Sequence, residues 1–93
     1  MKLNEAIGDV LRELRMERRL TLSELSERSF VSLAHISDVE RGVKSISSEL
    51  LESLAFGLRT PSYEIVLLAG SRMQLQNAEV WQSLLRGRHK VVI

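Results

Sequence analysis

The chain contains no cysteine. That excludes disulfide bridges and thiolate metal sites, and it suits a reducing compartment. Only one proline and five glycines occur in 93 residues, and charged residues recur throughout, which argues against a disordered chain. The glycines are scattered, so there is no phosphate-cradling loop. No apolar run approaches the roughly 20 residues of a membrane span; the longest is Ile65-Val66-Leu67-Leu68-Ala69. The opening Met1-Lys2-Leu3-Asn4-Glu5 lacks the charged head and apolar stretch of a signal peptide, so a cytoplasmic protein is expected. Strong charge of one sign is absent too. The net charge is +1, and residues 1–44 hold eight basic and eight acidic side chains, so any positive surface must come from folding.

What is there is helical spacing almost everywhere, with no alternating β-branched run before the tail, so the expected fold is all-α. Ile7, Leu11 and Leu14 place one apolar stripe on a first helix, about Asn4 to Arg18. Thr21-Leu22-Ser23-Glu24 reads as a capping box that opens a second helix reaching Ser29. Ser32 caps a third, which Gly42 closes, and only about three residues separate the two, so they must cross steeply. Ser47 or Ser48 starts a fourth helix with Leu50, Leu51, Leu54, Ala55 and Leu58 apolar. Thr60-Pro61 caps a short fifth, which Gly70 can close. A sixth is expected from about Arg72 to Leu85, with Leu75, Ala78, Trp81 and Leu85 on one side and Val80 and Leu84 on another. An apolar girdle that wide suggests burial against two surfaces.

The stretch Leu20 to Gly42, with Leu20-Thr21, Leu25, Val31-Ser32, Ile36-Ser37 and Val39-Glu40-Arg41-Gly42, resembles the helix-turn-helix of Cro/repressor-type (XRE family) regulators. Ile7-Gly8, Leu11-Arg12 and Leu14-Arg15 upstream match as well, so the resemblance covers about residues 3–69. Val31-Ser32-Leu33, Val39-Glu40-Arg41-Gly42, Lys44 and Ser47-Ser48-Glu49-Leu50 carry a narrower likeness to the ClgR-type activators of Clp protease genes. The resemblance implies a five-helix lambda-repressor-like unit over residues 1–70, with residues 71–93 as an added helix and tail. It also implies that Arg15 and Glu40 form an ion pair between the first and third helices. There are departures. Leu22 stands where many relatives have Gln, Ser26 where Ala is usual, and Phe30, Arg19 and Arg59 where Gly is frequent, so these last three call for positive φ.

A helix fits the major groove, and residues at its start reach base edges. By position, the base readers are Ser32, Leu33, Ala34, His35, Ser37 and Asp38. None of these is an Arg or a long amide, which leaves room for water-mediated contacts and DNA shape. The expected phosphate contacts are Thr21, Leu22 and Ser23 at the start of the second helix, Arg28 at its end, and Arg41, Lys44 and Ser45 beyond the third. Leu75, Ala78, Val80, Trp81, Leu84 and Leu85 are the expected dimer contacts, and the basic tail Arg86 to Lys90 is as readily a solvated end as a DNA contact.

The function expected is a transcription regulator that binds palindromic double-stranded DNA as a homodimer, with RNA polymerase as a further partner. The other reading is an antitoxin-like protein-interaction module on the same fold. No catalytic residues are expected: Ser37, Asp38 and His35 are neighbours without a nucleophile elbow. No metal, cofactor, small-molecule ligand or membrane partner is expected either.

Overall fold

The computed structural model describes residues 1–76. Five helices follow one another: α1 (Leu3–Glu17), α2 (Leu22–Ser29), α3 (Leu33–Glu40), α4 (Ser48–Gly57) and α5 (Ser62–Gln76). The described residues contain no strand, so the fold is all-α as expected. α1 packs against α3 on one side and α5 on another, α2 packs against α3 and α4, and α4 meets α5. The inward stripes meet in one core. Leu11, Leu25, Ile36, Leu54, Leu58 and Ile65 are its largest fully buried side chains, each contributing about 1.5–3 kcal/mol relative to exposure. Leu50 and Leu51 are half-buried and pack against that core.

Helix starts follow the polar residues seen in the sequence. Thr21, Ser32 and Ser47 each occupy the N-cap, and their hydroxyls accept from the backbone N–H groups of Glu24, His35 and Leu50. The ends of α1, α3 and α4 share one closure. After α1, the N–H of Leu20 donates to the Arg15 carbonyl and that of Arg19 to Met16. The same pair of bonds recurs at Gly42-Val43 and Arg59-Thr60. This closure needs a left-handed residue just past the cap. Only Gly42 is a glycine there; Arg19 and Arg59 have φ of 56° and 52°, and Phe30 after α2 has 60°. The positive φ expected at these three residues is therefore present.

Three expectations change at α5. Gly70 does not end the helix, and no new helix begins at Arg72, because α5 runs on to Gln76. A helical glycine costs only about 1 kcal/mol, and contacts beyond it offset that. Met73 packs against the core, and the Arg72 guanidinium bonds the Glu13 carboxylate of α1. Nor does the Thr60 hydroxyl cap α5: it donates to the Leu58 carbonyl and accepts from Arg18 at 2.7 Å. Ala78, Val80, Trp81, Leu84 and Leu85 lie outside the described residues.

Arg59 is exposed, and its side chain bonds to nothing among the described residues. Arg59→Gly should therefore relieve left-handed strain at no other loss and raise stability by about 0.5–1 kcal/mol. Urea unfolding checks this; equal or lower stability would contradict it.

Candidate nucleic-acid interface

α2 begins with a reciprocal cap. The Thr21 hydroxyl accepts from the Glu24 N–H at 3.0 Å, and the Glu24 carboxylate accepts from the Thr21 N–H at 2.9 Å. The Thr21 backbone N–H, and after it the Thr21 hydroxyl, hold the Glu24 carboxyl below the usual carboxylate range. A depressed pKa makes this contribution complete at neutral pH and lost as pH falls through the folded value. The cap uses its own N–H and that of Glu24, and the N–H groups of Leu22 and Ser23 have no partner among the described residues.

Hydroxyl groups hold the turn between α2 and α3. Ser29 Oγ donates to the Leu25 carbonyl at 2.7 Å and accepts from the Val31 N–H at 3.3 Å. Ser26 Oγ donates to the Val31 carbonyl. Sequence reasoning missed both residues. The signal was there for Ser26, a hydroxyl where Ala is usual, but a local bond to a carbonyl five residues on is visible only once the turn is folded. Phe30 projects from this turn, 92% exposed.

The third helix presents its outer face as expected. Ser32, Leu33, Ala34 and His35 are exposed, Ser37 and Asp38 are half-buried, and Ile36, Val39 and Glu40 face inward. Two contacts with α1 fix its pose. A Cβ added at Gly8 would lie 2.3 Å from the Val39 carbonyl oxygen, so only glycine permits this approach. The Arg15 guanidinium grips Glu40 with two bonds, 2.7 Å from Nε and 3.0 Å from Nη2, and donates a third to the Leu20 carbonyl. The hydrogen bond to Glu40 raises the Arg15 pKa against an opposing effect of burial. The ion pair implied by the resemblance is thus present.

Beyond α3, Lys44 and Ser45 are exposed and Asn4 Nδ2 donates to Ser45 Oγ at 3.5 Å. Arg41 is not a free cation: its guanidinium bonds the Asp38 carboxylate at 2.5 Å. Leu22, Ser37 and Arg41 line one cleft of about 460 Å³ between α1, α2 and α3. Arg28 stands exposed in the last turn of α2 and does not line it. Among the described residues, no group of three acidic or imidazole side chains is arranged to hold a metal ion. No described helix is long and apolar enough to cross a membrane.

A capped helix, a hydroxyl-tied turn and a second helix with its outer face bare form a helix-turn-helix, and the helix-turn-helix domain family matches residues 6–68 of this chain. The chain belongs to that family. It is 43% identical over 74 residues to the transcriptional regulator ClgR of Mycobacterium tuberculosis H37Rv, covering 80% of this chain and 66% of that protein, just under two thirds of its length. It is 37% identical over 67 residues to the HTH-type transcriptional repressor RghR of Bacillus subtilis 168, covering 71% of this chain and 50% of that one. The crystal structure of the clp gene regulator ClgR from Corynebacterium glutamicum superposes with a TM-score of 0.79 at 40% identity, covering 92% of this chain and 89% of that one. The chain is thus a helix-turn-helix protein similar to the transcriptional regulator ClgR.

The Arg15 and Glu40 side chains are only 14% and 6% exposed, so screening by solvent is weak. Arg15→Met alone strands a buried carboxylate and should cost about 3 kcal/mol; Arg15→Met with Glu40→Leu should recover most of it. Chemical denaturation of the three proteins reads this, and a double variant no more stable than the single one would refute it.

Proposed function

We propose that this helix-turn-helix regulator binds specific double-stranded DNA through α3, as a homodimer on palindromic sites. The observation that carries the reading is the bare outer face of α3, with four consecutive exposed residues from its N-cap, Ser32 to His35. A helix pinned at its back by Arg15 and Gly8 can enter the major groove as a rigid body. Leu33 and Ala34 offer apolar contact to a thymine methyl, and His35 a donor or acceptor. Ser32 divides its hydroxyl between its cap and the groove. Ser37 and Asp38 line the helix one turn further on.

Backbone phosphates meet the open N–H groups of Leu22 and Ser23, next to Thr21, on one side. On the other they meet Arg41, Lys44 and Ser45, and Arg28 is a further contact. The Asp38 carboxylate would repel a phosphate if bare, but Arg41 neutralises it.

Residues 1–70 serve as the DNA-binding unit and residues 71–93 as the dimerisation element, through Leu75, Ala78, Val80, Trp81, Leu84 and Leu85. Leu75 is 80% exposed, and Tyr63, Val66 and Leu67 leave further apolar surface bare on α5, which supports a protein partner there. Dimerisation doubles a reading frame that is too short in one domain. The likeness to a clp gene regulator supports clp protease genes as targets; activation through RNA polymerase completes this proposal. The place of action is the nucleoid of the cytoplasm.

Binding to a site selected from random DNA should weaken steeply with salt, with a log–log slope of about −5 for a dimer neutralising about 6 phosphates. Lys44→Ala should flatten the slope by about one unit without changing preference. Arg41→Ala should lose more affinity, because it also bares Asp38. His35→Ala should shift preference at one base pair, by about 1–3 kcal/mol. A slope near zero, or an unchanged selected site for His35→Ala, would defeat the reading. Sedimentation at micromolar concentration should show a dimer, converted by Trp81→Ala to a folded monomer. A parent chain that stays monomeric on palindromic DNA would end the dimer proposal.

A further inference from the structure

The cleft between α1, α2 and α3 has a wall that the helix-turn-helix itself does not supply. Asp9, Arg12 and Arg15 of α1 face Leu22, Ser37 and Arg41 across it, with Glu40 behind. Most of its charges are already spent. Arg15 is locked to Glu40, and Arg41 to Asp38. Next to the cleft, Arg72 of α5 bonds Glu13 and lies 4.0 Å from Asp9, which lines it. Arg72 thus lies near Asp9, the carboxylate three residues before Arg12 on the same helix. Among the described residues, Arg12 has no ion-pair or hydrogen-bond partner, and it is exposed.

Apart from the Asp9 carboxylate, which Arg72 approaches, the other unspent groups at the cleft are donors. The N–H of Leu22 opens α2, and neither it nor the Ser37 hydroxyl has a partner among the described residues. Two uncharged donors and an unpaired guanidinium on three different helices suit an oxyanion that all three can reach. Guanidinium is the side chain best matched to phosphate oxygens. We infer that Arg12 contacts the DNA backbone across this cleft, so that α1, outside the helix-turn-helix, is a third phosphate-binding element. The inference rests on the DNA-binding reading above.

The test compares the full chain with Arg12→Ala, Arg12→Lys and Arg59→Gly, on a duplex selected from random DNA, across a salt series. Arg59→Gly also removes one positive charge, but at the end of α4. Arg12→Ala should weaken binding by about tenfold and flatten the log–log slope by about one unit per contact, with the preferred sequence unchanged. Arg12→Lys should keep the slope, because a point charge remains. Arg59→Gly should leave slope and affinity near the parent values. Circular dichroism checks that each variant is folded, and Arg12 is exposed enough for all to be so. A parent that binds DNA while Arg12→Ala matches it in slope and affinity overturns the inference alone. A slope loss equal in Arg12→Ala and Arg59→Gly also overturns it, since bulk charge would then explain the effect. A parent with no salt-dependent binding overturns the DNA reading and the inference with it.

Discussion

The seat of α3 on α1 is the constraint from which the rest of the molecule follows. Val39 and Glu40 carbonyls approach Gly8 so closely that a methyl group could not fit. Beside that contact, one guanidinium binds Glu40 twice and the Leu20 carbonyl once. The packing contact sets the distance between the two helices, and the forked ion pair sets their rotation. Because Leu20 leads into α2, the same arginine also ties the entry of the second helix to the exit of the third. The turn between them then has little freedom left, and the hydroxyls of Ser26 and Ser29 take up what remains. Burying a carboxylate is expensive unless it is paired and hydrogen-bonded. Glu40 meets both conditions, so a costly group becomes a positional one.

Much of this was legible in the chain before it was folded. Caps depend on residues one turn apart, and Thr21, Ser32, Ser47 and Gly42 each marked a helix end correctly. The left-handed residues were legible through the resemblance, because Arg19, Phe30 and Arg59 stand where glycine is frequent in the family. The ion pair between Arg15 and Glu40 was legible only through resemblance, since 25 residues separate the partners.

What stayed hidden depends on contacts that sequence spacing does not encode. Gly70 reads as a stop because glycine is a poor helix former, yet Met73 and Arg72 find partners on the body of the domain and carry α5 past it. Thr60 reads as a cap because threonine before proline has that chemistry, but Arg18 claims its hydroxyl from α1. Asp38 and Arg41 read as two separate DNA contacts; at i, i+3 on one helix face, they answer each other first. In each case a local preference met a competing partner brought in by folding, and the partner won.

The pairing of Asp38 with Arg41 has a consequence for how such a regulator would look for its site. Any phosphate that recruits Arg41 would compete with a carboxylate already held by one of its nitrogens. The carboxylate acts as a built-in counterion, and it competes equally on every stretch of DNA. On random sequence nothing else compensates for the exchange, so residence there is shortened and the protein moves on sooner. At a matching site the groove contacts made by the start of α3 offset it. On the DNA-binding reading, one acidic side chain on α3 would thus trade overall grip for speed of scanning, which a fully basic surface of the same fold would not do.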